Sequence, residues 1–343
     1  MTAFNRRSFL ALGATGMLAP ALAAISDPTQ PIERRKRINP KASLEDNLIN
    51  EFLQPKPLAL KVGAAEPFAA LHFSDTHVSM MDAADILSGK VKELSLYEAR
   101  NHGLFGRGGF PFAVQSLAAT LAYAKRKNVP MLNTGDLFDF RSEANIACIA
   151  NSFKGADVFS SLGNHEGHGL HSPGMNPQTA AAEDALRARY EKAIGNPLVV
   201  ASRVINGVNF VAFDNALHNL REETIDGVKR EFWKGLPVVL MCHVPPTYTK
   251  LFRENSRRAM CTIRAGMGGK PAAPESYPLP KNPADRHDER TKGFYGWLRE
   301  RKDLKAILCG HTHYAEIDDF SETAKMYVAG GNYEGHAYEI TFK

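Results

Sequence analysis

The chain has 343 residues, enough for one large α/β domain or two smaller ones with a substantial core. Hydrophobic residues make up 44% and charged residues 23%, which is typical of a soluble globular protein. The formal net charge of +5 is mild, and no long block of like charges suggests a nucleic-acid-binding tail. We therefore expect no nucleic-acid partner.

The first 23 residues have the features of a signal peptide. A weakly apolar run over residues 11–24 is interrupted by glycine and proline, and it is too short to span a bilayer. Ala21-Leu22-Ala23 fits the small-x-small cleavage pattern. Upstream, Arg6-Arg7-Ser8-Phe9-Leu10 resembles a bacterial twin-arginine signal. We expect a periplasmic protein that uses the twin-arginine export machinery and keeps no stable membrane span; an ordinary secretory signal or an uncleaved amphipathic helix is the alternative.

Residues 24–66 are rich in charge and proline and contain one modest amphipathic segment, Leu44–Leu53. They are predicted to form a linker and a surface-docked arm, with the folded domain covering residues 67–343.

Four cysteines raise the question of disulfides in an exported protein. Cys242 and Cys309 lie in apolar runs, which is typical of buried core thiols. Cys148 lies in a predicted helix and Cys261 in a polar insertion. A structural disulfide between two of them stays open, although we do not expect one.

From residue 68 onward, helical and extended patterns alternate, and Asn206-Gly207 is a strong hairpin signal. Mixed β-α units and hairpins favour an α/β sandwich with helices outside paired sheets. The predicted helices are 111–127, 141–153, 179–194, 220–233 and 293–301. The predicted strands are 69–73, 129–134, 157–162, 198–205, 208–214, 237–242, 305–309, 325–328 and 337–342.

Five of the apolar runs end in residues that can bind metal. In chain order these residues are Asp75-Thr76-His77, Asp136 with Asp139, Asn164-His165-Glu166, His243 and His311-Thr312-His313. Asp75 and His77 are two positions apart, so on extended backbone they would point the same way, and the same holds for His311 and His313. Each stretch alone could be a turn, a helix cap, a core histidine or a surface pair. All five together are unlikely by chance and predict one cleft at the ends of the strands.

This ordered set resembles the calcineurin-like metallophosphoesterase family. The family pattern is Asp-x-His, Gly-Asp-x-x-Asp, Gly-Asn-His-Glu/Asp, a lone His and then Gly-His-x-His. Every part is present between residues 68 and 342, including the glycines Gly135, Gly163 and Gly310. The resemblance implies a four-layer αββα sandwich of two mixed sheets flanked by helices, with a metal site at the carboxyl ends of the strands.

The resemblance also implies roles for the residues. One divalent cation would be bound by Asp75, His77, Asp136 and His313, and the other by Asp136, Asn164, His243 and His311. A hydroxide between the cations would attack phosphorus, and His165 would protonate the leaving group or stabilise charge on the phosphate. Asp139 would orient the ring of His165, unless it only caps a loop. The donor set favours Mn, Fe, Zn or Co over Mg or Ca without choosing among them.

The expected activity is therefore hydrolysis of a small anionic phosphoester. Loops at the rim of an active site usually set substrate choice, so two insertions, residues 78–110 and 245–288, are candidates for that role. The second contains cations that would suit an anion, although they could equally be solvated loop charges: Lys250, Arg253, Arg257, Arg258 and Arg264. Two alternatives stay open: a phosphodiesterase or pyrophosphatase acting on nucleotides or lipid headgroups, and a catalytically silent metal-binding domain.

Overall fold

The computed structural model describes residues 39–80, 106–107, 110–167, 180–216, 219–248, 253 and 282–343. The predicted signal peptide lies outside these residues. So do Cys261, most of the 78–110 insertion, and Lys250, Arg257, Arg258 and Arg264 of the second insertion.

The elements of the described residues follow in chain order. The strands are β1 Gln54–Leu60, β2 Phe68–Phe73, β3 Gly106–Arg107, β4 Phe110–Pro111, β5 Met131–Asn133, β6 Val158–Ser160, β7 Val200–Ile205, β8 Val208–Phe213, β9 Val238–Met241, β10 Leu304–Cys309, β11 Glu316–Asp319, β12 Lys325–Val328 and β13 His336–Phe342. The helices are α1 Leu44–Phe52, α2 Phe112–Lys127, α3 Glu143–Phe153, α4 Asn164–Gly167, α5 Ala180–Ile194, α6 Glu222–Phe232 and α7 Glu289–Arg299. Short 3-10 helices cover Pro283–Arg286 and Asn332–Glu334.

Two mixed sheets form the centre of the protein. The first has the strand order β1-β13-β2-β5-β6, and only its β13–β2 pair is antiparallel. The second has the order β11-β12-β10-β9-β8-β7, with antiparallel pairs at both edges. The parallel strands β2, β5, β6, β9 and β10 therefore supply the carboxyl ends at which α/β proteins place their ligands.

The apolar residues of these strands form three layers of core. Side chains from both sheets, such as Ala70 and Leu132 facing Phe210 and Leu308, fill the space between them. Other core clusters pack the first sheet against α1, α2, α3 and α5, and the second against α6 and α7. The predicted αββα sandwich is confirmed.

The N-terminal boundary of the fold differs from the prediction. Residues 54–60 were assigned to an arm outside the domain, but they form β1, which pairs in parallel with β13 at the edge of the first sheet. Pro55 and Pro57 made a strand difficult to predict, since proline cannot donate a hydrogen bond to a sheet. The Gln54 N–H donates to the Gly335 carbonyl, and the alternation of a parallel pair turns both prolines away from β13. Because β1 is an edge strand, the side of the backbone on which Pro55 and Pro57 lack an N–H has no neighbouring strand to bond, and the prolines are tolerated.

Helix α1 also contributes to the core, since Leu48 and Phe52 pack in the cluster beneath the first sheet. Its start is capped by Ser43, whose hydroxyl accepts a hydrogen bond from the Asp46 N–H. Among the described residues, no helix has the length and apolar character needed to cross a bilayer.

Candidate metal centre

The loops that follow β2, β5, β6, β9 and β10 bring all the predicted site residues together. The carboxylates of Asp75, Asp136 and Asp139 are buried, as are the rings of His77 and His243. Asn164 and His165 are each 8% exposed, and His311 and His313 are half-buried. The cluster is therefore open to solvent mainly on the side of the last two histidines.

Five of the predicted ligands have a left-handed backbone. The φ angles are 55° for Asp75, 51° for His77, 53° for Asp136, 73° for His311 and 58° for His313. The expectation that Asp75 and His77, and likewise His311 and His313, lie on extended backbone was therefore wrong. Each loop reverses direction directly after its strand, and the turned ligand side chains converge. This backbone region is uncommon for residues with a side chain and is concentrated at functional sites.

Hydrogen bonds between the loops hold this conformation. The N–H of Asp75 donates to the Gly135 carbonyl at 3.0 Å, and that of His77 to the Asp136 carbonyl at 3.0 Å. The N–H of His311 donates to both carboxylate oxygens of Asp75, at 3.1 and 2.9 Å. The ligand loops thus support one another.

A first group of ligand atoms comes from Asp75, His77, Asp136 and His313. The Nε2 atoms of His77 and His313 lie 3.0 Å apart. Asp75 Oδ1 lies 3.8 Å from His77 Nε2 and 3.3 Å from His313 Nε2. Asp136 Oδ2 lies 3.7 Å from His77 Nε2. Two imidazole nitrogens and two carboxylate oxygens therefore face one point, as the donors of a cation site do.

A second group comes from Asp136, His243 and His311, with the side-chain oxygen of Asn164 beside it. Asn164 Oδ1 lies 3.0 Å from His243 Nε2 and 2.9 Å from His311 Nδ1. Asp136 Oδ2 lies 3.1 Å from His243 Nε2. The other ring nitrogen of His243, Nδ1, donates to the Thr134 carbonyl at 2.7 Å, so Nε2 faces Asp136 and is the nitrogen that would bind a metal after losing its proton. Burial lowers the pKa of His243, but the charge of Asp136 and the hydrogen bond to it raise that pKa to about 9.

Asp136 belongs to both groups. Its Oδ1 accepts a hydrogen bond from the His165 N–H at 2.9 Å, which fixes the carboxylate and directs Oδ2 between the two sets of ligand atoms. A single oxygen therefore faces His77 on one side and His243 on the other.

A third cluster, formed by His77, Asp139 and His165, is a hydrogen-bonded set rather than another cation site. His165 Nδ1 lies 2.5 Å from the backbone carbonyl oxygen of Asp139 and 3.2 Å from its Oδ1. A carbonyl cannot donate, so this nitrogen carries the proton and cannot bind metal. Asp139 Oδ1 also lies 3.3 Å from His77 Nδ1. Asp139 thus faces both rings, and the Nε2 atom of His165 is left facing Asp136.

The site concentrates negative charge. Burial alone would raise the pKa values of Asp75, Asp136 and Asp139, but the neighbouring histidines outweigh it and lower all three. Burial likewise opposes protonation of His77, yet hydrogen bonds to Asp139 and Asp75 and the charge of Asp136 raise its pKa to about 10. Burial lowers the pKa of His311 to about 3, so this ring is neutral, as a metal ligand must be.

Buried carboxylates need compensation by hydrogen bonds, by positively charged side chains or by metal ions. Without metal, protonated His77 and His243, whose pKa values are raised to about 10 and about 9, compensate the aspartates. Divalent cations held by the converging aspartate and histidine atoms would take over that role. The residues present therefore fit two divalent cations that share Asp136.

Sequence reasoning gave no role to Glu166, which the structure places behind Asp136. Its buried carboxylate accepts hydrogen bonds from four backbone N–H groups, those of Asp136, Leu137, Phe138 and Gly163. Consecutive N–H groups beside a left-handed residue form a cavity that binds anions, and here the anion is a side chain. The Asn-His-Glu stretch was the available signal, but three of the four partners of Glu166 are 28 to 30 residues away in sequence.

Two motif glycines are required by close approach. A Cβ at Gly163 would lie 2.1 Å from the Asp136 backbone nitrogen, and one at Gly310 would lie 1.8 Å from Ser74 Oγ. Any side chain at either position would displace a ligand loop.

Comparison with known proteins agrees with this chemistry. The sequence model of the calcineurin-like phosphoesterase family matches residues 68–315. No curated protein sequence matches the chain.

Several solved structures are similar at low identity. A dimetal phosphatase from Danio rerio aligns with a TM-score of 0.43 and 11% identity over 78% of this chain and 89% of that one. A putative 5'-nucleotidase from Staphylococcus aureus aligns with a TM-score of 0.37 and 14% identity, over 78% of this chain and 49% of that one. A 5'-nucleotidase from Candida albicans gives 0.37 and 11%, over 82% and 47%. This chain spans about half the length of the two nucleotidases.

The assignment rests on the family model, which covers most of the chain, including the loops that carry Asp75, Asp136, Asn164, His243 and His311. The chain belongs to the calcineurin-like phosphoesterase family.

Proposed function

We propose that the protein hydrolyses its phosphoester with two divalent cations that share Asp136. Membership of the family makes it a metal-dependent hydrolase of phosphoric ester bonds. The observation that supports two cations is the position of Asp136 Oδ2, 3.7 Å from His77 Nε2 and 3.1 Å from His243 Nε2. The ligands of one cation are Asp75, His77, Asp136 and His313, and those of the other are Asp136, Asn164, His243 and His311.

Bound in such a site, divalent cations polarise the phosphoryl group and make water a stronger nucleophile near neutral pH. The residues of the chain orient the substrate and move protons. The Nδ1 atom of His165 carries a proton and donates it in a hydrogen bond to Asp139. The opposite nitrogen, Nε2, therefore faces the cleft and donates a proton to the leaving oxygen. Burial alone would lower the pKa of His165. The charge of Asp136 and the hydrogen bond to Asp139 outweigh burial, so the net pKa lies above its usual value and the protonated acid is favoured.

The ligand set indicates which metals the site takes. Imidazole, carboxylate and amide donors without a thiolate suit Mn, Fe, Zn or Co. The sulfur atoms of Cys242 and Cys309 lie 3.7 Å from each other, and both residues are buried in the core that packs the second sheet against α6 and α7. Metal analysis of the purified protein identifies which of these ions it holds.

A substrate panel tests this function. Purified protein loaded with Mn²⁺ should hydrolyse p-nitrophenyl phosphate or bis-p-nitrophenyl phosphate, and the ratio of the two rates separates a monoesterase from a diesterase. Nucleoside monophosphates, a nucleoside diphosphate and a phospholipid headgroup extend the panel to the alternatives. Turnover should disappear with a chelator and return with metal. If no ester is hydrolysed at any metal loading, the chain is a silent metal-binding domain.

We also propose that the protein is exported by the twin-arginine route. The support is Arg6-Arg7 followed by Ser8-Phe9-Leu10 ahead of a weak apolar run. Expressed in a bacterium, the full chain should be recovered from the periplasmic fraction with its first 23 residues removed. Replacement of both arginines by lysine should leave the precursor in the cytoplasm, and an unchanged distribution would contradict this route.

A further inference from the structure

The turn between β12 and β13 contacts the loops that carry the first group of ligands. Consecutive N–H groups of Gly331, Asn332 and Tyr333 donate to the carbonyls of His313 at 3.2 Å, Ser74 at 2.9 Å and Asp75 at 3.3 Å. This 331–333 turn lies beyond residues 68–315, which the family model matches. It joins the loop of Asp75 and His77 to the loop of His313.

The side chain of Asn332 is fully buried and uses both ends of its amide. Its Oδ1 accepts a hydrogen bond from the Thr76 hydroxyl at 3.1 Å. Its Nδ2 donates to Thr120 Oγ1 at 3.0 Å and to the His336 carbonyl at 3.2 Å. Thr76 is the residue between the ligands Asp75 and His77, so Asn332 ties the middle of that loop to α2 and β13.

The ring of Tyr333 packs against two of the ligands. Its centroid lies 5.4 Å from that of His313 and 6.1 Å from that of His77, both in edge-to-face orientation. Gly331 makes room for this ring, since a Cβ there would lie 2.2 Å from Tyr333 Cε1. Together, the backbone, the amide and the ring contact the two loops that carry Asp75, His77 and His313.

We infer that Asn332 in the 331–333 turn is a positioning residue for the first cation site, acting through Thr76 on Asp75 and His77. The backbone of the turn also holds the loop that carries His311 and His313, through the Gly331 N–H. The hydrogen-bond partners of the Asn332 side chain lie in the Asp75–His77 loop, in α2 and in β13. None of these carries Asn164, His243 or His311. The inference rests on the proposed two-cation function.

Titration of the metal-free protein with Mn²⁺ tests it. The wild type should bind in two steps. Asn332→Ala should weaken one step by about 10–100-fold, the usual effect of removing a group that orients a metal ligand, and leave the other unchanged. Asn209→Ala is the control, since Asn209 is equally buried but lies in β8, where its amide donates to Glu231. It should leave both steps unchanged.

Two further variants identify which site is affected. Combined with His313→Ala, Asn332→Ala should add little, because both act on the first site. Combined with His311→Ala, it should weaken both steps. Thr76→Val removes the same hydrogen bond with little change in volume, so it provides the test if Asn332→Ala lowers the unfolding temperature of the metal-free protein.

The outcomes are distinct. Selective weakening in Asn332→Ala or Thr76→Val supports the inference. If both steps are unchanged or weaken equally, Asn332 has no selective role and the inference is wrong, although the two-cation function stands. If the wild type binds fewer than two cations and hydrolyses no ester, the proposed function itself fails.

Discussion

Asp136→Asn should weaken both metal sites together, because one carboxylate oxygen lies between the two groups of ligands. Asparagine keeps the shape of the side chain and tolerates the left-handed backbone of Asp136, but it removes the negative charge. We expect both Mn²⁺ affinities to fall by more than about 100-fold, beyond the 10–100-fold typical of residues that only orient ligands. Titration of the metal-free variant with Mn²⁺ measures the two affinities, and metal analysis after dialysis measures how much metal the variant retains.

Asp75→Asn is the matched control for that result. Asp75 is equally buried and has a similar left-handed backbone, but among the two proposed ligand sets it belongs only to the first. Its substitution should weaken mainly one binding step. If Asp136→Asn also affected only one step, Asp136 would be an ordinary ligand and the shared-carboxylate proposal would be wrong.

His165→Ala should lower turnover by about 10²–10⁴-fold, the range for general acid–base catalysis, while metal content stays near that of the wild type. The Nδ1 atom of His165 is occupied by its bond to Asp139, and its Nε2 atom lies 3.8 Å from Asp136 Oδ2 on the edge of the cluster. Removing the ring therefore removes a proton donor and no ligand. Turnover of p-nitrophenyl phosphate and metal analysis of the same sample measure both quantities.

His287→Ala provides the comparison, since His287 is also buried but stacks on Tyr295 in the second half of the chain. It should leave metal content and turnover unchanged. Loss of metal in His165→Ala would mean that His165 binds a cation and that its role as an acid is misassigned.

The sequence predicted that the proposed site residues would come together, because the signal for that is local. Each ligand directly follows an apolar strand, and parallel strands bring their carboxyl ends to one edge of a sheet, so residue type and position were enough. The α/β sandwich was predicted from Asn206-Gly207 and the alternating helical and extended patterns, which specify short-range structure, and its four αββα layers from the resemblance to the family. Most element ends lie within two residues of their predicted positions.

What the sequence did not predict depends on contacts between distant segments. The left-handed backbone of Asp75 and His77 is held by carbonyls of residues 135 and 136, which no local pattern reveals. Strand β1 exists because β13, almost 300 residues later, offers an edge that tolerates Pro55 and Pro57. Asn332 likewise gains its contacts from Thr76 and Thr120, across more than 200 positions.

The left-handed backbone at five of the proposed ligands limits what redesign of this centre can achieve. Among residues other than glycine, Asn, Asp and His adopt this conformation several times more often than the rest. The same three side chains supply the oxygen and nitrogen donors that divalent transition metals accept. Backbone geometry and coordination chemistry therefore favour the same small set of residues. Conversion to a thiolate site would require new loops as well as new ligands, because cysteine is not among the residues favoured at these five angles.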